Sequence, residues 1–345
     1  MPRIIRTALA GLGAVNRNWL ALLTKKESTL ADRYDLAFQI VAAADSSGAA
    51  YCPDGFAPAD LVAQKLKGGR IADLSAVDAG CSFTDLLHPN YCDLVLEATP
   101  VNLKTGEPGL SITRTALQNG VSAVLANKGP LVLDFHALTQ LSRESGAGLA
   151  YSATVCGALP VINIGQRDLV AADIQLMRGI FNSTTNFILA EMARGASFTT
   201  ALAEAQRRGI AETDPSLDID GWDTANKLVI IANSILNLAV SLQDVAVTGI
   251  REVTTAQLSA ALAQGNTIKL VATLQKSATG YQFAVAPMVV AQTDFLGSCS
   301  GWEMGIEIHS DLYGRLYHKI WEESPIPTAA AMLRDAVNLF AVSKE

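Results

Sequence analysis

The chain begins with an apolar run over residues 4–9 that passes through Gly11-Leu12-Gly13 into an amphipathic stretch over residues 15–24. A strand that turns on glycine straight into a helix commits a chain to an α/β layout, because the helix must fold back over the sheet to which the strand belongs. The first glycine permits the tight turn, and the second lets backbone approach an anion at the positive end of the helix. Glycine turns after strands also occur for plain packing reasons, so the spacing alone is weak. Its setting, between an apolar strand and an amphipathic helix, points to a dinucleotide pyrophosphate held by Gly11, Gly13, Ala14, Val15 and Asn16. Asn16 stands where the usual fingerprint has its third glycine.

The alternation continues. Apolar runs at 38–44, 94–97, 122–126 and 149–152 are spaced by helical patterns at 110–119 and 135–145. This order predicts a doubly wound parallel sheet of the Rossmann type. Asp45 ends the second run, where an acid binds the adenosine ribose hydroxyls and favours NAD over NADP. It lies farther along than usual, with residues 25–35 reading as an insertion; Ser46 and Ser47 could instead accept a phosphate, and a solvated turn is a third reading. Past residue 155 the texture changes. A strand at 174–181 ends at Asn182-Ser183-Thr184-Thr185, and helices follow to Met192, over 198–208 and over 223–238. Strands at 243–248, 267–275 and 283–290 suggest a separate mixed sheet, and a last helix covers 328–340. A length of 345 residues suits two domains.

Several function classes drop out. A net charge of -7 with scattered Lys and Arg offers no concentrated basic face, so no nucleic-acid partner is expected. The five cysteines, Cys52, Cys81, Cys92, Cys156 and Cys299, show no CxxC pair, which argues against a zinc site or disulfide framework and for the reducing cytoplasm. The basic, apolar N-terminus is broken by glycines and by Asn16-Arg17-Asn18, and 230–240 by Asn233, Ser234 and Asn237, so a soluble protein without a membrane span is expected.

The stretch from Glu212 to Lys227 concentrates the chemistry. Five acids, Glu212, Asp214, Asp218, Asp220 and Asp223, are interrupted by Pro215 and Gly221, a composition that predicts a loop over 209–222. Asp223 and Lys227 then fall i to i+4 on one face of the next helix, with Glu212 and Asp218 able to converge from the loop. An acid–lysine pair can relay the proton that a substrate hydroxyl loses as hydride leaves, and nearby acids can hold a substrate ammonium. By spacing alone a charged surface loop followed by an ordinary helical ion pair reads equally well. An EF-hand fails on ligand spacing and lacks its terminal glutamate. Lys128, in Leu125-Ala126-Asn127-Lys128-Gly129-Pro130, follows an apolar strand at the carboxyl end, where ligands bind in open α/β sheets.

With these residues in place, the chain resembles the homoserine dehydrogenase family. The resemblance rests on the 205–227 stretch, ALAGLGAVN, ANKGP at 126–130, SATVCGALPV at 152–161, GIFNSTTNFIL at 179–189 and PTAAAML at 327–333, in the family's order. It implies oxidation of L-homoserine to L-aspartate-4-semialdehyde, or the reverse, with NAD or NADP. It also implies Lys227 as proton relay, Lys128 orienting the substrate oxygen, and Glu212, Asp218 and Asp223 binding the substrate amine and supporting the lysine. Thr184 resembles a substrate contact, and Thr99 and Pro100 resemble cofactor contacts. Ser183 stands where a glycine is common, and Ser152 where a glutamate commonly ligates a monovalent cation beside backbone carbonyls. Val155 and Gly157 retain the carbonyls. Residues 321–325 replace a glycine-rich loop. The expected architecture is a dinucleotide-binding domain over 1–155 and an α+β catalytic and dimerisation domain over 156–312. A segment over 313–345 would return to the first domain, with substrate bound between domains and a homodimer as the assembly. No regulatory domain, and hence no threonine feedback through one, is expected.

Overall fold

Strand β1 (Arg3–Ala10) is buried on both faces from Thr7 onward, which small and branched side chains allow. In the computed structural model, which describes residues 1–74 and 82–341, β1 leads a first unit made of Met1–Ala158 and Ser324–Glu345. Cys81 lies outside the described residues. Helix α1 (Ala14–Tyr34) follows, then β2 (Leu36–Asp45), β3 (Gly48–Phe56), α2 (Pro58–Leu66), β4 (Leu94–Glu97), α3 (Gly109–Gln118), β5 (Ser122–Leu125), α4 (Gly129–Ser145) and β6 (Leu149–Ala150). The sheet order is β3-β2-β1-β4-β5-β6. The strands β2, β1, β4, β5 and β6 run parallel, as a doubly wound sheet requires.

Two local expectations are corrected. Strand β3 runs antiparallel to β2 through a two-residue turn at Ser46-Ser47, so the edge of the sheet is a hairpin and not a crossover. Pro53 and Asp54 hide this edge strand from its sequence pattern. Residues 25–35 are no insertion; they are the second half of α1, polar because most of their side chains face solvent while Leu30 is buried. Asp35, at φ +57, closes that helix.

The second unit spans Leu159–Glu323. A single turn α5 (Val161–Asn163) precedes β7 (Ile174–Ile180), α6 (Ser183–Ala193), α7 (Phe198–Arg207), the one-turn α8 (Ser216–Ile219) and α9 (Trp222–Leu236). Then come β8 (Val245–Val247), α10 (Thr255–Ala263), β9 (Asn266–Ser277), β10 (Gly280–Ala291), β11 (Glu303–Ser310) and β12 (Gly314–Trp321). Its mixed sheet has the order β12-β11-β7-β9-β10-β8. Helix α9 buries Leu228, Val229, Ile230, Ile231 and Ala232 in succession and packs on β8, β9 and β10, so its first turn is rigidly seated. Strand β12 pairs with β11 along its whole length. The chain therefore returns to the first unit at Ser324 and not at residue 313.

The last element, α11 (Ile326–Phe340), packs on α1 and supplies Ala329, Ala331, Met332, Ala336 and Val337 to the first unit's core, beside Trp19, Leu20, Leu94, Leu96 and Val124. Among the described residues no helix is long and apolar enough to cross a membrane.

Candidate active site

At the carboxyl end of the first sheet, Gly11 sits at φ +81, and a Cβ there would stand 2.6 Å from the Ala98 carbonyl oxygen. The turn therefore presses against the end of β4, and only glycine fits. Gly13 differs: it is exposed, in an ordinary extended conformation, and a Cβ would meet nothing within 4 Å. Packing does not require that glycine. The open space above it, facing the unsatisfied first-turn amides of α1, fits a pyrophosphate. Ala14 is exposed and Val15 half-buried at the same helix start. The side chain of Asn16 is fully buried, and its Nδ2 donates to the carbonyls of Gly11 (2.7 Å) and Ala10 (3.3 Å), so it braces the turn from below while its amide lies in the first turn of α1.

Asp45 is not the isolated acid expected at the end of β2. Its Oδ2 is ion-paired with Lys65 of α2, and its Oδ1 accepts from the Ser47 amide (2.8 Å) and hydroxyl (2.6 Å). Burial opposes its ionisation, but the Lys65 and Ser47 hydrogen bonds outweigh that and hold its pKa below the usual value. Ser46, in the hairpin turn, is exposed.

A buried node that the sequence reading missed ties the ends of β4 and β5. Glu97 Oε1 accepts from the Thr99 amide (2.9 Å), the Thr99 hydroxyl and Asn127 Nδ2 (3.4 Å), while its Oε2 is buried without a partner. Asn127 Nδ2 also reaches Thr99 Oγ1 (3.2 Å), and its Oδ1 accepts from the Gly129 amide (2.9 Å). Burial pushes the Glu97 carboxyl up to about 7. Thr99, half-buried, and Pro100, exposed, thus leave β4 on a braced corner. Half-buried Lys128 is the N-cap residue of α4, next to Asn127. An acid ending the apolar run Leu94-Val95-Leu96-Glu97 was the available signal.

In the same unit Val155 is buried, and Cys156 and Gly157 follow at φ +55 and +58. The amide and hydroxyl of Ser152 both donate to the buried carboxylate of Asp335 on α11, at 2.8 and 2.9 Å. That hydroxyl is committed within the protein.

The second unit sorts the five acids. Asp214 accepts from the amide and hydroxyl of Ser216 and so starts α8, a turn inside the stretch expected to be all loop. Asp220 is paired with Arg251. Glu212 is exposed, and among the described residues no hydrogen bond or ion pair engages its side chain; its carbonyl accepts from Gln206. The expected convergence of Glu212 with the other acids is therefore absent from the hydrogen-bonded group, because the loop turns its side chain to solvent. Asp218 and Asp223 are brought together, and the residue between them is Asn182. Its Nδ2 donates to Asp218 Oδ1 (2.7 Å) and to Asp223 Oδ2 (2.8 Å). Lys227 Nζ lies 2.8 Å from Asp223 Oδ2 and donates to the Phe181 carbonyl (2.6 Å), so the end of β7 and the first turns of α9 meet at one ammonium. Ser183 opens α6 half-buried, and buried Thr184 donates to the Ile210 carbonyl (3.0 Å), pinning the loop that follows α7. Asn182 was missed because nothing in its sequence setting says that one amide spans two carboxylates.

A glycine turn prepared for a pyrophosphate on a doubly wound sheet, and a buried acid–lysine pair at a helix start, define a nicotinamide-dependent oxidoreductase. The homoserine dehydrogenase family model matches residues 160–337. A homoserine dehydrogenase of Methanocaldococcus jannaschii is 36% identical over 338 residues, covering 98% of this chain and 99% of the relative. An NAD(+)-dependent homoserine dehydrogenase of Pseudomonas canavaninivorans is 29% identical over 336 residues, covering 97% and 96%. The crystal structure of a candidate homoserine dehydrogenase from Archaeoglobus fulgidus aligns with a TM-score of 0.88 at 32% identity, covering 98% of this chain and 100% of that one. The chain belongs to the homoserine dehydrogenase family.

Proposed function

We propose that the chain interconverts L-homoserine and L-aspartate-4-semialdehyde with NAD or NADP, and that Lys227 is its proton relay. The observation that carries the assignment is the Lys227 ammonium, held between Asp223 Oδ2 and the Phe181 carbonyl in the second turn of a largely buried helix. A bound dinucleotide would supply the hydride acceptor for oxidation at substrate C4 and the hydride donor for reduction. In oxidation neutral Lys227 accepts the C4 hydroxyl proton as the C–H bond breaks; in reduction its ammonium gives that proton to the forming alkoxide. Asp223 holds the lysine in place and stabilises its charged form. Asp218 holds the substrate ammonium, with Thr184 and Ser183 beside it, and Glu212 would join it by turning its exposed side chain inward. Lys128 orients the substrate oxygen. Gly11, Gly13, Ala14, Val15, Thr99 and Pro100 would hold the dinucleotide, with Asn16 and Glu97 bracing its two walls. A monovalent cation would be taken up on the carbonyls of Val155 and Gly157, where Ser152, whose hydroxyl donates to Asp335, brings no carboxylate charge of its own.

Steady-state assays of L-homoserine beside other small amino alcohols, each with NAD and NADP, test the reading. Robust turnover of homoserine is the expected result. Negligible homoserine turnover with strong turnover of another amino alcohol, or with none at all, overturns it.

We also propose a homodimer formed through the second unit. Its edge strand β12 leaves Tyr317 and Trp321 exposed on one face at 46% and 54%, large side chains that a partner could cover. Light scattering giving a monomer mass would refute it. Among the described residues no cysteine is in a disulfide, which supports a cytoplasmic setting.

A further inference from the structure

We infer that Asn182 is a positioning residue of the reaction and not only the cap of α6. The inference rests on the roles proposed above for Asp218, Asp223 and Lys227. Asn182 is 5% exposed, and its amide is fully spent. Oδ1 accepts from the Thr185 amide (2.9 Å) and hydroxyl (3.2 Å), which caps the helix. Both N–H bonds of Nδ2 go to carboxylates, one on Asp218 and one on Asp223. The orientation of the amide is fixed by these partners, since an ionised carboxylate can only accept.

A cap needs the oxygen alone. Serine, threonine and aspartate supply it as well as asparagine does. The bridge needs two donors on one short neutral side chain, and among the uncharged side chains of that length only asparagine has them. Without the bridge, two carboxylates would face each other across a poorly solvated gap, and each would disfavour ionisation of the other. With it, the Asp218 carboxylate is held toward the amine-binding role while Asp223 Oδ2 stays on Lys227. Asn182 thereby sets both the acid that holds substrate and the acid that holds the base, from the residue directly after Phe181, whose carbonyl also receives Lys227.

Asn182→Ser and Asn182→Asp keep the cap and remove the bridge; the aspartate also adds a third carboxylate. Three quantities are measured on wild type and both variants: thermal midpoint, dissociation constant of the reduced dinucleotide by fluorescence titration, and kcat and KM for homoserine. We expect dinucleotide affinity close to wild type in both, with a midpoint near wild type for serine and a lowered one for aspartate, whose added carboxylate is buried beside two others. Homoserine KM rises and kcat falls together, lowering kcat/KM on the order of a hundredfold for serine and further for aspartate. A serine variant that folds and keeps wild-type kcat and KM overturns the inference, as capping would then be the whole role. If the serine variant does not fold, the aspartate variant carries the test. If neither folds, the bridge serves the fold itself and not the reaction, and the inference fails. Absence of homoserine turnover in wild type would instead remove the proposed function itself, which separates the two failures.

Discussion

Lys227 Nζ lies 2.8 Å from Asp223 Oδ2 one helical turn away, with side chains only 14% and 9% exposed. A pair this far from solvent is not the ordinary surface ion pair that its i to i+4 spacing first allows. Removing one partner strands a charge, and that cost is usually about 3–5 kcal/mol. Lys227→Ala should therefore lower homoserine turnover by at least about a thousandfold, since it removes the relay and the ammonium that Asp223 faces. Cofactor titration should show unchanged affinity. Retained turnover in a folded Lys227→Ala enzyme would remove the lysine from its role.

The two glycines of the turn should separate. Gly11→Ala meets the Ala98 oxygen at 2.6 Å from a left-handed backbone, so the fold itself should weaken by about 2 kcal/mol or more. Gly13→Ala meets nothing. It should leave the thermal midpoint in place while raising the dinucleotide dissociation constant about tenfold or more by crowding the phosphates. Equal dinucleotide affinity in wild type and Gly13→Ala would show that this space is not the phosphate site.

Cofactor choice should turn on Lys65. While Lys65 neutralises Asp45, the end of β2 does not repel a 2′-phosphate as a bare acid would. Lys65→Ala should move the ratio of NADP to NAD affinity toward NAD by about tenfold, on the scale of one lost phosphate contact. A ratio that stays put would place the adenosine ribose elsewhere.

Glu97 makes stability depend on pH in a definite direction. Its folded value of about 7 lies above the ordinary 4.5, so the folded state holds a proton that the unfolded state has lost between those values. Stability therefore falls as pH rises from about 4.5 through about 7 and levels off beyond, by about 3 kcal/mol at most. Glu97→Gln removes the titration, so its thermal midpoint, compared with wild type from pH 5 to 8, should gain relative to wild type toward the alkaline end. Parallel curves would mean that Glu97 is already ionised at the lower pH.

How much of this was legible in the sequence depended on whether the cause was local. The turn through Gly11, the buried strand β4 and the helix carrying Asp223 and Lys227 follow from period and from glycine's freedom, both of which a linear pattern records. The second half of α1 was hidden because its residues are mostly solvated and show no apolar stripe. The β11–β12 hairpin was hidden because β11 is buried almost throughout while β12 is an edge. The Asn182 bridge and the Glu97–Asn127 node join residues brought together only by tertiary packing. The bracing of the turn by the Asn16 side chain was hidden because its place in the motif does not tell burial from exposure. The pairing of Asp45 was hidden because Lys65 comes from a helix after the hairpin.

Helix α11 closes the core of a unit whose other elements all precede residue 159. During synthesis, the first unit must wait for residues 326–340 to leave the ribosome before Met332 and Ala336 reach α1, whereas residues 159–323 are contiguous and can consolidate first. Of the two units, the one carrying β1 is thus the later to mature, and a nascent chain stalled before residue 326 would carry an exposed apolar seam along α1, an opening for chaperone capture.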